Sequence, residues 1–406
     1  MGRACPVCRC VSLAPLQPVR YALFDDSSLP RKTVVARCAQ CGFVFADSEA
    51  TEDDYLRHYR VGSVYAAPQV RAGAGERPED IARLAAACAR FTDRLSVDAL
   101  FVDIGAGSGG LLQQVRAATG CRVLGIDPDD ACVQALRGRG LDAARGEIAA
   151  DLAHRYAGQA RVVALSHVLE HLWQPREALV IALRMLAPGG AVYVETPDRD
   201  GYAECANVPN YYFDPEHINH FAVADLSRLA VECGAHARAS GRGRIALAAG
   251  ISYPVCWAVI ERGAAQAGMQ VPATDAGTFD TFLSLQREAA LQWRDAVRHC
   301  LADVAPPFIV WGAGSQTQRV LAQDVLPRGA IACIVDGDPS KQGRRLDGID
   351  VLAPDSGLAA HAQAPVLVLA AAAAARAIQA DIARRWPGRR AIDLSLGTQP
   401  AQAIHA

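Results

Sequence analysis

Residues 101–110 read FVDIGAGSGG, an apolar run that ends in a glycine-dense turn and leads into the helical period LLQQVRAA of residues 111–118. Glycine lets a backbone approach a ligand closely, and a helix that begins there aims unpaired N–H groups at it. Working outward, the short apolar runs RVLGID (122–127), RVVALSHV (161–168) and AVYVETP (191–197) alternate with helical periods. Alternation of this kind builds a parallel sheet covered by helices. A second, smaller pattern of the same sort starts at FIVWGAG (308–314) and runs through IACIVDGD (331–338) and PVLVLAA (365–371). The expected fold class is α/β. The expected divisions are a cysteine-marked module (1–60), a linker and helix (61–98), a first α/β domain (99–255), a helical connector (256–305) and a second α/β domain (306–406).

Composition narrows the function classes. The chain has 406 residues, 51% hydrophobic and 21% charged, which supports packed cores and argues against wholesale disorder. A formal net charge of −2 gives no electrostatic basis for binding nucleic acid or an acidic membrane surface. The most apolar late stretch, APVLVLAAAAAARAIQA (364–380), is broken by Arg376. A membrane span needs ~20 apolar residues, so this stretch is expected to be a buried strand running into an alanine-rich helix. No apolar leader stands at the start, and nine of the 13 cysteines are scattered singly, as reduced thiols used for packing are. A cytoplasmic protein is the expectation.

The other four cysteines form the pairs CPVC (Cys5, Cys8) and CAQC (Cys38, Cys41), 29 residues apart. Two Cys-x-x-Cys knuckles place four thiolates at ~2.3 Å from one Zn²⁺ and close a tetrahedral site. Four thiolates leave no open position, so such a zinc ion holds the fold and performs no chemistry. The long spacing requires a strand or two between the knuckles, and Cys10 is a spare thiol that could compete with Cys8.

The glycine turn fits two patterns. Gly105, Gly107 and Gly110 give the G-x-G-x-x-G of dinucleotide sites. Asp103, Gly105, Gly107 and Gly109 give acid-x-G-x-G-x-G, which resembles the first motif of class I S-adenosylmethionine-dependent methyltransferases. Asp127, followed by Pro128, ends the next strand, where a carboxylate can accept ribose hydroxyls from either cofactor. Asp103 distinguishes the two, because adenosylmethionine carries a cationic amino end for it to neutralise and a nicotinamide cofactor does not. The turn LAPGGAVYVETP (186–197) resembles the L-x-P-G-G turn of the same methyltransferases. The resemblance implies a Rossmann-like methyltransferase core over residues 99–235, with RVVALSHVLEHL (161–172) lining the cofactor's methionine end and the substrate mouth.

Over nearly the whole chain the order of modules resembles the three-domain sugar C-methyltransferases that act on nucleotide-linked keto-deoxysugars. The matching stretches include DDYLRHYRVGSVY (53–65), PEHINHF (215–221), VWGAGSQTQRVL (310–321) and IVDGDPSKQGRRLDGIDVLAP (334–354). The resemblance implies an N-terminal zinc module and a Rossmann-like C-terminal domain that helps grip the substrate. It departs from the family's Tyr-x-Glu-His signature, since Asp214 stands where the tyrosine belongs, with Tyr211 and Tyr212 out of register. Thr317 replaces a third glycine in the C-terminal turn, which speaks against a strong second dinucleotide site.

Methyl transfer is an in-line displacement that needs the nucleophile ~3–3.5 Å from the methyl carbon, and a carbon nucleophile beside a keto group also needs a base. His217 is the candidate base and Glu216 its orienter or a second acid/base group. Tyr59 and Tyr65 are candidates to reach the substrate mouth. In HVLEHL, His167 is expected to face the cofactor or acceptor. A metal site on His167, Glu170 and His171 is not expected, because no third His or Cys ligand stands near them in sequence. The expected partners are S-adenosylmethionine, a structural zinc ion and a small-molecule acceptor, a nucleotide-linked sugar first. O- or N-methylation of another metabolite, a nicotinamide-dependent oxidoreductase and a catalytically silent binding protein are the alternatives.

Overall fold

The computed structural model describes residues 2–61, 78–205, 210–248, 251–263, 276–370 and 372–394. The chain forms two compact units: residues 1–17, 34–205 and 216–280 make the first, and 18–33, 206–215 and 281–406 the second.

The first three strands are β1 (Leu13–Arg20), β2 (Lys32–Cys38) and β3 (Val44–Asp47). The chain then enters β4 (Leu100–Ile104), β5 (Arg122–Asp127), β6 (Asp142–Arg145), β7 (Ala160–Ser166) and β8 (Leu186–Pro197), with helices at 110–119, 130–138, 150–155 and 175–185 as the crossovers. Next come the short β9 (Asn219–His220), β10 (Ala235–Ala248) and β11 (Ile251–Arg262). Seven of these form one sheet in the order β10-β11-β8-β7-β4-β5-β6. Pairings among β8, β7, β4, β5 and β6 are parallel, while β11 runs antiparallel to both β8 and β10. β4 is buried along its whole length, as a strand covered by helices on both faces must be.

The strand order places the site. From β4 the chain moves outward through β5 and β6, then returns to the other side of β4 for β7 and β8. Ligands of open α/β sheets bind beyond the carboxyl ends of the strands where the order reverses in this way. The glycine turn leaves β4 at that point and HVLEHL leaves β7 beside it.

β9 joins a separate four-stranded sheet, order β1-β2-β3-β9, by pairing antiparallel with β3. The segment that carries Glu216 and His217 is thereby tied to the β2–β3 hairpin, whose turn holds the second cysteine knuckle. Where a helical connector is expected from residue 256, the chain instead continues as β11 to Arg262, and the helix runs from Ala276 to Cys300. SYPVCWAVIE is a continuous apolar run in which Val255, Cys256, Ala258, Val259 and Ile260 are all buried, the pattern of a strand covered on both faces.

The second unit holds β12 (Phe308–Trp311), β13 (Ile331–Val335), β14 (Arg345–Leu346), β15 (Ile349–Leu352), β16 (Val366–Val368) and β17 (Ala391–Asp393). Their order is β14-β15-β13-β12-β16-β17, so β12 lies at a reversal of strand order like that at β4. APVLVLAAAAAARAIQA is indeed a buried strand running into a helix. No helix among the described residues is long and apolar enough to cross a membrane.

Candidate active site

Gly105, Gly107 and Gly109 take φ values of 72°, 48° and 79°, the left-handed region that side chains disfavour. A Cβ on Gly109 would stand 2.3 Å from Leu136 Cδ2, and one on Gly105 2.7 Å from Val168 Cγ2. Gly109→Ala is therefore expected to destabilise the protein by roughly 1–3 kcal/mol through overpacking. Urea unfolding of the variant checks this, and an unchanged midpoint contradicts it.

Asp127 at the end of β5 accepts the Gly107 N–H at 2.9 Å and, across Pro128, the Asp129 N–H at 3.0 Å. Its carboxylate thus fixes the shape of the turn from beneath. Asp103 is buried, and burial together with the Asp127 carboxylate pushes its pKa up to about 8 against the pull of Arg83. A buried carboxyl so strongly perturbed is a candidate binding group, and a second cation beside it would favour its ionised form.

His167 leaves β7 with φ of 56°, a conformation histidine tolerates better than most residues. Its ring lies between two buried carboxylates, with Nδ1 3.2 Å from Glu170 Oε1 and Nε2 3.5 Å from Glu195 Oε1. Burial opposes the charged imidazole, but Glu170 and Glu195 outweigh it and raise the pKa to about 9. Burial likewise opposes the Glu195 charge, yet His167 and then Arg90 hold it down at about 2. Arg90 and the Tyr193 hydroxyl both donate to Glu195 Oε2. Glu195, Tyr193 and Arg90 escape a sequence reading because AVYVETP looks like any buried strand. The ladder that sets Ser166 opposite Glu195 brings them to His167.

Glu216 and His217 reach the same end of the sheet through backbone pairing. Ile218 N donates to Glu170 O at 2.9 Å, and the Asn219 side chain donates to the carbonyls of Leu169 and Leu172. The His217 and His171 rings meet edge to face, 4.8 Å apart. His171 Nδ1 lies 3.1 Å from the Glu216 carbonyl oxygen and 2.9 Å from the Tyr59 hydroxyl. The Glu216 carboxylate pairs with His58 Nε2 at 3.3 Å. Burial opposes the Glu216 charge, but His58, His171 and His217 lower its pKa overall, so the group stands as an anion. An ionised carboxylate can balance a cation or accept a hydrogen bond but holds no proton to donate.

His58 is a further residue that the sequence did not single out. Its signal was its place beside Tyr59 in a stretch already matched to the family. The third ligand that HVLEHL lacks in sequence is also supplied in space, since Glu170, His171 and His217 present ligand atoms within 4.8 Å of one another. Tyr211 and Tyr212 lie in the second unit, Tyr211 under the Arg319 guanidinium and Tyr212 against Phe282. Tyr65 falls outside the described residues.

The cysteine module fits a zinc ion. Cys5 and Cys41 sulfurs are 3.6 Å apart, those of Cys8 and Cys38 3.5 Å, and all four lie within 4.8 Å of one another. The edge of a ZnS₄ tetrahedron is about 3.8 Å, far from the ~2.05 Å of a disulfide. Cys10 turns away and accepts the Ser12 N–H. β1 and part of β2 occupy the interval between the knuckles, as the spacing requires. Cys38→Ser is expected to release one equivalent of zinc per chain and, through β3 and β9, to cost turnover while adenosylmethionine affinity stays within about threefold. Metal analysis paired with calorimetry tests this, and full zinc content in the variant counts against the site.

Comparison with known proteins agrees with this geometry. Residues 76–237 match the family model described as a methyltransferase domain. The ubiquinone biosynthesis O-methyltransferase of Marinobacter nauticus is 34% identical over 108 residues, covering 24% of this chain and 44% of that protein. Its counterpart from Erwinia tasmaniensis is 31% identical over 104 residues, covering 24% of this chain and 42% of that protein. The chain thus spans less than half the length of these curated relatives. A solved structure of geranyl diphosphate C-methyltransferase from Streptomyces coelicolor, at 15% identity, covers 52% of this chain and 97% of its own with a TM-score of 0.35. The matched stretch is similar to a methyltransferase domain, and its strands form an α/β, Rossmann-like sheet.

Proposed function

We propose that the protein transfers a methyl group from S-adenosylmethionine to a small-molecule acceptor, and that the acceptor is a nucleotide-linked keto-deoxysugar methylated on carbon. The observation that carries the donor assignment is the pair of buried carboxylates around the glycine turn, Asp127 at the end of β5 and Asp103 at the end of β4. A nicotinamide cofactor needs the first and has no use for the second. When bound, adenosylmethionine supplies an activated methyl on a sulfonium. Asp103 balances its amino end, Asp127 receives ribose hydroxyls, and the glycine turn lets the backbone close on it.

The acceptor assignment rests on the module order and on Glu216–His217. His217 takes the proton from the carbon beside the keto group, and the C–H electron pair becomes the enolate. That carbon then attacks the methyl as the carbon–sulfur bond breaks, and its electrons stay on the leaving thioether. Glu216, ionised beside His58, stabilises the imidazolium that forms on His217. A metal ion on Glu170, His171 and His217 would engage the lone pair this step requires, so the cluster is read as acid/base machinery. Zinc belongs to Cys5, Cys8, Cys38 and Cys41, in a module of residues 1–60 ahead of the methyltransferase domain. A Rossmann-like domain follows over 306–406.

The test is to incubate the protein with adenosylmethionine and a nucleoside-diphosphate keto-deoxysugar in D₂O. Solvent deuterium in recovered substrate and a product methyl on carbon support the carbon route. A product methylated on oxygen or nitrogen, with no exchange, overturns it.

A further inference from the structure

Arg3 stands two residues ahead of Cys5, and its side chain leaves the first cysteine knuckle for the segment that follows β7. Its backbone N–H donates to Asp47 Oδ1 at the end of β3, at 2.7 Å. The buried guanidinium lies over the Trp173 ring, 4.4 Å from its centroid, with the Phe45 ring 5.7 Å away. From that seat Nη2 donates to the carbonyls of Leu172, at 3.3 Å, and of Trp173.

The acid/base cluster is assembled around these two residues. Leu172 closes the 3₁₀ turn Leu169–His171, which carries Glu170 and His171. Its carbonyl also accepts from Asn219 Nδ2 at 2.7 Å, and Asn219 is two residues past His217. Trp173 packs against Tyr55, with ring centroids 5.7 Å apart, and the Gln174 side chain donates to Glu52 at 2.6 Å. Tyr55 and Glu52 belong to the helix Glu52–Val61, which brings His58 to Glu216 and Tyr59 to His171. Arg3 therefore sits where the three segments that bear the cluster meet.

An apolar side chain would fill this place without the desolvation that a buried cation suffers. What arginine adds is a planar cation that stacks on an indole while its edge donates to main-chain carbonyls. The stack sets the Trp173 ring and the edge sets two peptide planes, so both contacts fix orientation.

We propose that Arg3 is a positioning residue for methyl transfer, holding the turn after β7 so that Glu170 and His171 stand against His217. The residues around the first knuckle thereby align a site that they do not enter. The inference rests on the reading of His217 as the base, and one arm of its test is independent of that reading.

The test compares the full-length, zinc-loaded wild type with Arg3→Met, whose side chain keeps apolar bulk but has no donor for the carbonyls. Amides of residues 168–174 are expected to exchange with solvent at least about tenfold faster in the variant, while those of the glycine turn, 105–110, keep wild-type protection. With adenosylmethionine and a nucleoside-diphosphate keto-deoxysugar, kcat is expected to fall at least about tenfold, with KM for the sugar and donor affinity within about threefold. Unchanged zinc content and thermal melting show that the variant is folded. Should it not be, Arg3→Lys, which keeps the charge but not the planar edge, carries the same test with a smaller expected change. Wild-type exchange at residues 168–174 overturns the proposal. Faster exchange spread evenly over the first unit does so too, as does a faster turn with unchanged kcat. No transfer by wild type would overturn the acceptor reading instead, and the exchange arm then decides whether Arg3 holds the turn.

Discussion

Asp103→Asn is expected to weaken S-adenosylmethionine binding by roughly 30- to 4000-fold, because truncating one partner of a buried charge pair costs about 2–5 kcal/mol. Asp127→Asn is expected to act in the same direction through the ribose and through the turn it shapes. The size of the Asp103 effect follows from its setting: the carboxyl is buried, and burial and Asp127 hold its pKa at about 8 until a cation arrives. Its sign with pH follows too. A carboxyl raised by the fold is protonated in the empty protein below about pH 8, so the cationic cofactor must displace that proton in order to bind. Wild-type affinity should therefore rise from pH 6 to pH 8 and then level, with proton release detectable by calorimetry in buffers of different ionisation enthalpy. Asp103→Asn should flatten that rise. The same linkage makes the empty fold lose stability as pH climbs from the ordinary carboxyl range to about 8, and the bound cofactor restores it. Unchanged affinity in both variants would sink the assignment of the donor site.

His217→Ala is expected to reduce methyl transfer by about 10²–10⁴-fold, the usual contribution of a positioned general base, while adenosylmethionine binds as before. Glu216→Gln should cost less, because the residue acts on the imidazolium and not on the substrate. The clean distinction is therefore between the two variants: His217→Ala loses both deuterium exchange and turnover, and Glu216→Gln retains exchange at reduced rate. Equal turnover in wild type and His217→Ala removes the histidine from the chemistry.

What the sequence disclosed and what it hid divide along physical lines. The glycine turn, Asp103, Asp127 and both cysteine knuckles were legible because each is a local pattern, in which backbone geometry and ligand chemistry demand particular residues a few positions apart. Both α/β sheets were legible from apolar runs and helical periods. The helix Ala276–Cys300 was legible as well, but β11 ahead of it was not, because a continuous apolar run such as SYPVCWAVIE does not separate a buried strand from a buried helix by periodicity.

The acid/base cluster was only half legible. Glu216 and His217 stood out as a motif, but their partners His58, Tyr59, His171 and Glu170 come from two other segments. What joins them is β9 pairing with β3 and docking on the turn after β7, a set of backbone bonds that carries no residue signature. Glu195 and Arg90 were hidden for the same reason. The pairing of Ser166 with Glu195 decides which buried charge faces His167, and sequence periodicity does not specify ladder register between strands so far apart.

The central claim is that the first glycine turn holds S-adenosylmethionine as a methyl donor. Its most direct test is calorimetric titration of the zinc-loaded protein at pH 8 with adenosylmethionine and, separately, with NAD and NADP. One equivalent of adenosylmethionine is expected to bind per chain, at least about 30-fold more weakly in Asp103→Asn, with no binding of either nicotinamide cofactor at that site. Binding of a nicotinamide cofactor with none of adenosylmethionine would contradict it.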